Sequence, residues 1–138
     1  MGTGVVDLEH APVDLRVPFA TTSVSVARRR LHDWMKERGT PAPAVEDARL
    51  LISELVDNSV RHAQPLPDGN LLISWTVDQR GLQVSVTDGG SSSVPRKVNA
   101  SPAALTGRGM AIVEALAESW WTEQTRSRTT VHALLTLE

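Results

Sequence analysis

A chain of 138 residues with 41% hydrophobic and 22% charged residues has the make-up of one globular domain. Its formal net charge of −2 excludes a broad electrostatic pull toward nucleic acid, and the absence of cysteine excludes both a disulfide framework and a thiolate metal site. No apolar run approaches the roughly 20 residues that span a bilayer, and the N-terminus lacks the basic start and apolar core of a signal peptide; the expected compartment is the cytoplasm, with no membrane contact.

Residues 1–13 carry Gly2, Gly4 and Pro12 with little periodicity and read as a flexible arm; residues 14–138 read as one domain. Asp14 to Phe19 fits a short strand, with Pro18 marking an edge or a strand end. Thr21, Thr22 or Ser23 can cap a helix that runs to about Arg38 and stops at Gly39 and Pro41. Val24, Ala27, Leu31, Trp34 and Met35 form its apolar stripe. Arg28-Arg29-Arg30 is a short basic run on the same helix, read as a solvated face, with a docking surface for an acidic partner as the alternative.

A second helical pattern runs from about Val45 to Ala63. At about 100° per residue, Ala48, Leu51, Ile52, Leu55, Val56, Ser59 and Ala63 share one apolar arc. Glu54, Asn58, Arg61 and His62 share the adjoining polar arc, and Glu54 and Asn58 meet one turn apart. A solvated face with a Glu–Arg pair would explain these four, and so would a site.

The Pro65-Leu-Pro-Asp-Gly69 cluster breaks the helix and leads into a hairpin. Leu71, Ile73, Trp75 and Val77 alternate with polar or outward positions; Asp78 to Gly81 is the turn; Leu82, Val84, Val86 and Asp88 carry the apolar phase back. Asp88 therefore puts a carboxylate at the edge of a core, where an ionised group needs partners. Gly89-Gly90 follows. Ser91 to Thr106, with Pro95 and Pro102, is long enough to expect a functional lid. Thr106-Gly-Arg-Gly-Met110 opens a third helix, about Met110 to Glu118, with Ile112, Val113 and Leu116 apolar. Trp120 to Thr125 and Thr129 to Leu137 read as two closing strands.

Three elements thus stand in order: Glu-x-x-x-Asn at Glu54 and Asn58 on a helix, Asp-x-Gly at Asp88 and Gly90 on a strand end, and Gly-x-Gly at Gly107 and Gly109 before a helix. Together they resemble the N, G1 and G2 boxes of the GHKL ATP-binding superfamily, over roughly Leu15 to Leu137. The small size looks most like the anti-sigma-factor serine kinases. The implied fold is an α/β two-layer sandwich of the Bergerat type, one mixed, mostly antiparallel sheet with helices on one face.

The resemblance implies ATP and Mg²⁺ as cofactors. It assigns Asn58 to Mg²⁺ through its amide oxygen, Asp88 to the adenine amino group, and Gly90 to close approach of the backbone. Gly107 and Gly109 would offer bare N–H groups to phosphates, with Arg108 and Met110 beside them in the nucleotide-binding set. Arg61 could reach a phosphate, and His62 matches a basic or aromatic position after the N box. Glu54 would be the general base for a partner serine. The superfamily also places a Thr of the final strand near adenine; parity with Val131, Ala133 and Leu135 selects Thr129 over Thr130.

One departure is Ser92, where the G1 box usually has a second glycine. The implied partners are a sigma factor and an anti-anti-sigma protein of the STAS type, with a homodimer suggested. A nucleotide-gated binding module without catalysis is the first alternative. A detached catalytic domain of a sensor histidine kinase is the second; His32-Asp33 resembles a phosphoacceptor pair, but such a His needs a two-helix hairpin and only one helix is available there.

Overall fold

A computed structural model of the chain describes residues 12–90 and 110–137. Five strands and three helices follow in the order β1 (Val13–Pro18), α1 (Ser23–Glu37), α2 (Ala42–His62), β2 (Asn70–Asp78), β3 (Gly81–Asp88), α3 (Ala111–Leu116), β4 (Ser119–Gln124) and β5 (Thr129–Leu135). The strands form one sheet in the order β1-β2-β3-β5-β4. Every pairing among the described residues is antiparallel, so the mixed sheet that the resemblance implied is not present in this part of the chain.

Alternation decides which side of the sheet the helices cover. Val17, Leu71, Ile73, Trp75, Leu82, Val84, Val86, Val131, Ala133 and Leu135 point the same way and join Leu31, Met35, Leu51, Ile52, Leu55 and Val56 of the helices in one core. Burying a side chain of this size stabilises the fold by about 1.5–3 kcal/mol. The core-facing arc expected on the second helix is buried from Ala48 through Ser59, and only Ala63, at its end, is half-exposed. Trp75 is fully buried and meets Trp34 edge-on at 6.2 Å, with the Arg38 guanidinium 3.9 Å above the Trp34 ring.

Two helix starts differ from expectation. Thr22 occupies the cap of α1 but makes no side-chain cap bond, and the hydroxyl of Ser23 donates instead to the Pro18 carbonyl at 2.6 Å. α2 begins three residues earlier than its periodicity suggested, because Pro43 fits the first turn, where no backbone N–H is needed. α3 is shorter than expected; Val113 is buried, Leu116 half-buried and Ile112 exposed, so its apolar side is narrower than three residues.

The opposite face of the sheet carries no helix among the described residues. Ser85, His132, Trp121 and Glu123 lie there on β3, β5 and β4. His132 Nδ1 sits 2.7 Å from Ser85 Oγ, His132 Nε2 lies 2.6 Å from Glu123 Oε1, and the Trp121 ring stacks on the imidazole at 5.1 Å.

Candidate functional site

The end of β3 is where the helix layer and the sheet meet around a charge. Asp88 is 2% exposed. Its Oδ2 accepts a hydrogen bond from the Ser59 hydroxyl of α2 at 2.7 Å, and its Oδ1 accepts one from the Gly90 N–H at 2.8 Å. Both bonds favour the orientation in which the carboxylate stays at the sheet edge. Ser59 was legible only as a small member of the apolar arc. Ser59 is buried, and its hydroxyl ties the helix to the strand end.

Thr129 stands directly opposite Asp88 in the β3–β5 register. Its Oγ1 is buried and has no hydrogen-bond partner among the described residues. An orphan buried hydroxyl is unusual in a folded chain and marks a polar position open to a ligand. Thr130 turns to the other face, where its hydroxyl lies 2.8 Å from that of Thr87, so the parity argument chose the residue on the same side as Asp88. Gly90 has φ +93°, a left-handed conformation, and a Cβ there would lie 3.7 Å from Thr129 Oγ1. Asp88, Gly90 and Thr129 therefore share one small polar floor.

Gly89 is the neighbour that sequence reasoning passed over. A Cβ on it would collide with the Pro65 carbonyl and lie 3.1 Å from that of Gln64. Its N–H donates to Gln64 O at 2.7 Å, and the N–H of Gln64 donates to Gly90 O at 3.1 Å. This reciprocal pair straps the chain leaving α2 to the chain leaving β3. The only sequence signal for it was the doubled glycine.

Glu54, Asn58, Arg61 and His62 lie along α2 within about one and a half turns of Ser59. Asn58 is buried, at 4%; Glu54 and His62 are half-buried; Arg61 is exposed. Burial pushes the Glu54 carboxyl above its ordinary range, the nearby Asp57 charge adds to the rise, and Arg61 acts in the opposite sense. The Glu–Arg pair considered from sequence is not the one formed: Arg61 Nε bonds Asp57 Oδ2 at 2.8 Å, across one helical turn. Met110, included in the nucleotide set, is fully buried and packs into the core, so its side chain belongs to the interior. Gly107, Arg108 and Gly109, the 91–106 lid and Ser92 lie outside the described residues.

The donor set suits an adenine nucleotide. At the end of β3 a buried carboxylate faces a hydroxyl with no partner among the described residues, beside a left-handed glycine and a helix that carries an amide and a carboxylate one turn apart. Among the described residues no helix is long and apolar enough to cross a membrane.

The chain is 31% identical over 84 residues to the serine-protein kinase RsbW of Listeria monocytogenes, covering 60% of this chain and 54% of that one. It is 28% identical over 82 residues to the RsbW of Staphylococcus aureus, covering 58% of this chain and 52% of that one. The chain thus matches about half the length of these curated relatives. Among solved structures, the RsbU and RsbW domains of Rv1364c from Mycobacterium tuberculosis superpose on 92% of this chain and 32% of that one, with a TM-score of 0.70 at 22% identity. The SiaB–SiaC complex from Pseudomonas aeruginosa matches 96% of this chain and 95% of its own, with a TM-score of 0.66 at 9% identity. These two likenesses establish the fold as an α/β sandwich of this type. The family model of the histidine kinase-like ATPase domain matches residues 17–134, nearly the whole of the sandwich, and the chain belongs to that family.

Proposed function

We propose that this protein is an ATP-dependent anti-sigma factor that phosphorylates a serine of an anti-anti-sigma partner. The observation that carries the reading is the Asp88 carboxylate, held by Ser59 and Gly90 opposite the orphan hydroxyl of Thr129. The RsbW relatives are named as serine-protein kinases, which supports the reaction type.

Bound Mg-ATP would supply the phosphoryl group for transfer. Asp88 would accept from the adenine amino group, and Thr129 would offer its hydroxyl beside it. Asn58 offers an amide oxygen to Mg²⁺, a ligand type that hard cation prefers. Gly107 and Gly109 would offer backbone N–H groups to the phosphates, as the family resemblance implies, with Arg61 and His62 on the helix flank as further donors. Glu54 takes the proton from the partner's serine hydroxyl. Its raised pKa makes it a better proton acceptor than an ordinary surface carboxylate. The partners in this reading are a sigma factor and a STAS-type anti-anti-sigma protein, with the chain acting in the cytoplasm as a homodimer.

The test is incubation with labelled Mg-ATP and candidate partner proteins encoded nearby. Transfer of label to a partner serine, lost without Mg²⁺, is the expected result. Nucleotide binding with no transfer to any partner would replace the kinase with a nucleotide-gated binding module.

A further inference from the structure

On the flank of α2 opposite the nucleotide site lies a second concavity. Arg49 and Asn58 are nine residues apart, and at about 100° per residue they project from opposite sides of the helix. Arg49 faces a cleft of about 540 Å³ whose other wall is α1, through Ser25, Arg28, Arg29, His32 and Asp33. Positions 25, 28, 29 and 32 are spaced as one helical face, so that wall follows directly from the α1 sequence.

The charges in this cleft are unbalanced. Three guanidinium groups line it against one carboxylate, on a chain whose net charge is −2. Asp33 is engaged by His32 at 3.3 Å. Arg49 Nη1 bonds Glu46 at 3.1 Å, yet its Nε has no hydrogen-bond partner among the described residues. Arg28 and Arg29 have no ion-pair partner among the described residues, whereas Arg16, Arg61 and Arg80 each have a carboxylate. Two like charges side by side on one helix face repel, and an anion between them and Arg49 would relieve that.

We propose that the α1–α2 cleft is a second binding site, for a compact phosphate-bearing anion. The size lies in the range of small-molecule pockets, about 300–1,000 Å³. Guanidinium forks suit phosphate oxygens bidentately, and Arg is favoured over Lys where that geometry matters. The lining has no Trp, Phe or Tyr on which a base could stack, so the phosphate groups rather than a nucleoside carry recognition. Concavity favours a small anion over an acidic protein surface, which would need a broad complementary patch. Arg49 and Ser59, the residue that holds Asp88, are ten residues and about 15 Å apart along α2, so the cleft can be filled while a nucleotide is bound.

The experiment follows the His32 imidazole resonances of the full chain by NMR during titration with inorganic phosphate and inorganic pyrophosphate, without Mg²⁺. The expected result is a saturable shift that the Arg28→Gln/Arg29→Gln pair weakens by about tenfold or more, as loss of charge-assisted hydrogen bonds implies. The same shift should persist in Asp88→Asn, which alters only the nucleotide side. The single variant Arg29→Gln, at an exposed position, repeats the test if the double variant is poorly folded. The proposal is overturned if His32 does not respond to either probe, if its response survives loss of both arginines, or if it is lost with Asp88→Asn. A response to a glutamate-rich peptide and to neither phosphate probe would also overturn it, making the cleft a docking surface for an acidic protein.

Discussion

The two stretches of α2 that border the candidate site differ in how far the protein itself fixes their polar groups. Around Ser59, the hydroxyl holds Asp88, Gly90 holds the other carboxylate oxygen, and the backbone of Gln64 is bonded to both glycines. Around Glu54, the carboxyl is half-buried, raised in pKa and influenced by charges rather than clamped by a bonded donor; Arg61 is committed to Asp57 instead. A group that must hold a ligand gains from being fixed in advance. A group that must accept a proton gains from a raised affinity for it, which a strong ion pair would remove. The contrast suits a site with a binding end and a reacting end.

The largest test of that contrast is Glu54→Gln. Loss of a general base typically costs about 10²–10⁴-fold in rate, so phosphotransfer to the partner should collapse while ATP affinity, measured by calorimetry, stays near wild type. Transfer at the wild-type rate would remove the reacting end altogether. Asp88→Asn probes the other end. Hydrogen bonds to charged groups are worth about 1.5–3 kcal/mol, so ATP affinity should fall by about 10- to 100-fold while the melting temperature falls little. If both fall together, Asp88 serves the fold rather than the ligand.

Gly89→Ala sharpens the comparison from the side of stability. The new methyl group would strike the Pro65 carbonyl, and overpacking of this kind costs about 1–3 kcal/mol. Denaturant titration should register that loss; an unchanged midpoint would show that the strap between the two chain segments is loose. Ser59→Ala should lower stability by a smaller amount, about 1–2 kcal/mol, and ATP affinity with it, since the Asp88 carboxylate loses a donor.

The smallest effect concerns pH. The folded pKa of Glu54 lies above its unfolded value, so its contribution favours folding at low pH and is lost as pH rises through the folded pKa. Glu54→Gln should therefore melt slightly higher than wild type at neutral pH. The transfer rate of the wild type should begin to fall, on acidification, at a higher pH than an ordinary carboxylate would give, and Arg61→Gln should move that fall higher still. No change of the profile with Arg61→Gln would mean that Arg61 does not reach Glu54 electrostatically.

How much of this was legible in the sequence depends on the range of the interaction involved. Period and parity act over a few residues, and they placed Leu51, Ile52, Leu55 and Val56 on the core side, Asp88 in the inward phase, and Thr129 rather than Thr130 beside it. The early start of α2 escaped because Pro43 breaks an apolar pattern yet suits a first turn. Ser59, Gly89 and the α1–α2 cleft escaped for another reason. Each acts through a neighbour far along the chain: Ser59 through Asp88, Gly89 through Pro65, and Arg49 through the α1 wall. Nothing in the local pattern records such a meeting. Arg61 fell between these cases, since Asp57 and Glu54 both stood within its reach and only the packed helix chose between them.

The backbone strap between Gln64 and the Gly89-Gly90 pair has a consequence for amide exchange with solvent. The Gly89 N–H that donates to Gln64 O and the Gln64 N–H that donates to Gly90 O can open only if the end of α2 parts from the end of β3. Exchange at these two amides therefore reports separation of helix from sheet rather than fraying of either element. In deuterated buffer both should exchange at a common slow rate, close to that of the central β3 amides. The loop after α2 would then carry protection normally seen only inside a sheet, and Gly89→Ala should remove it at both positions at once.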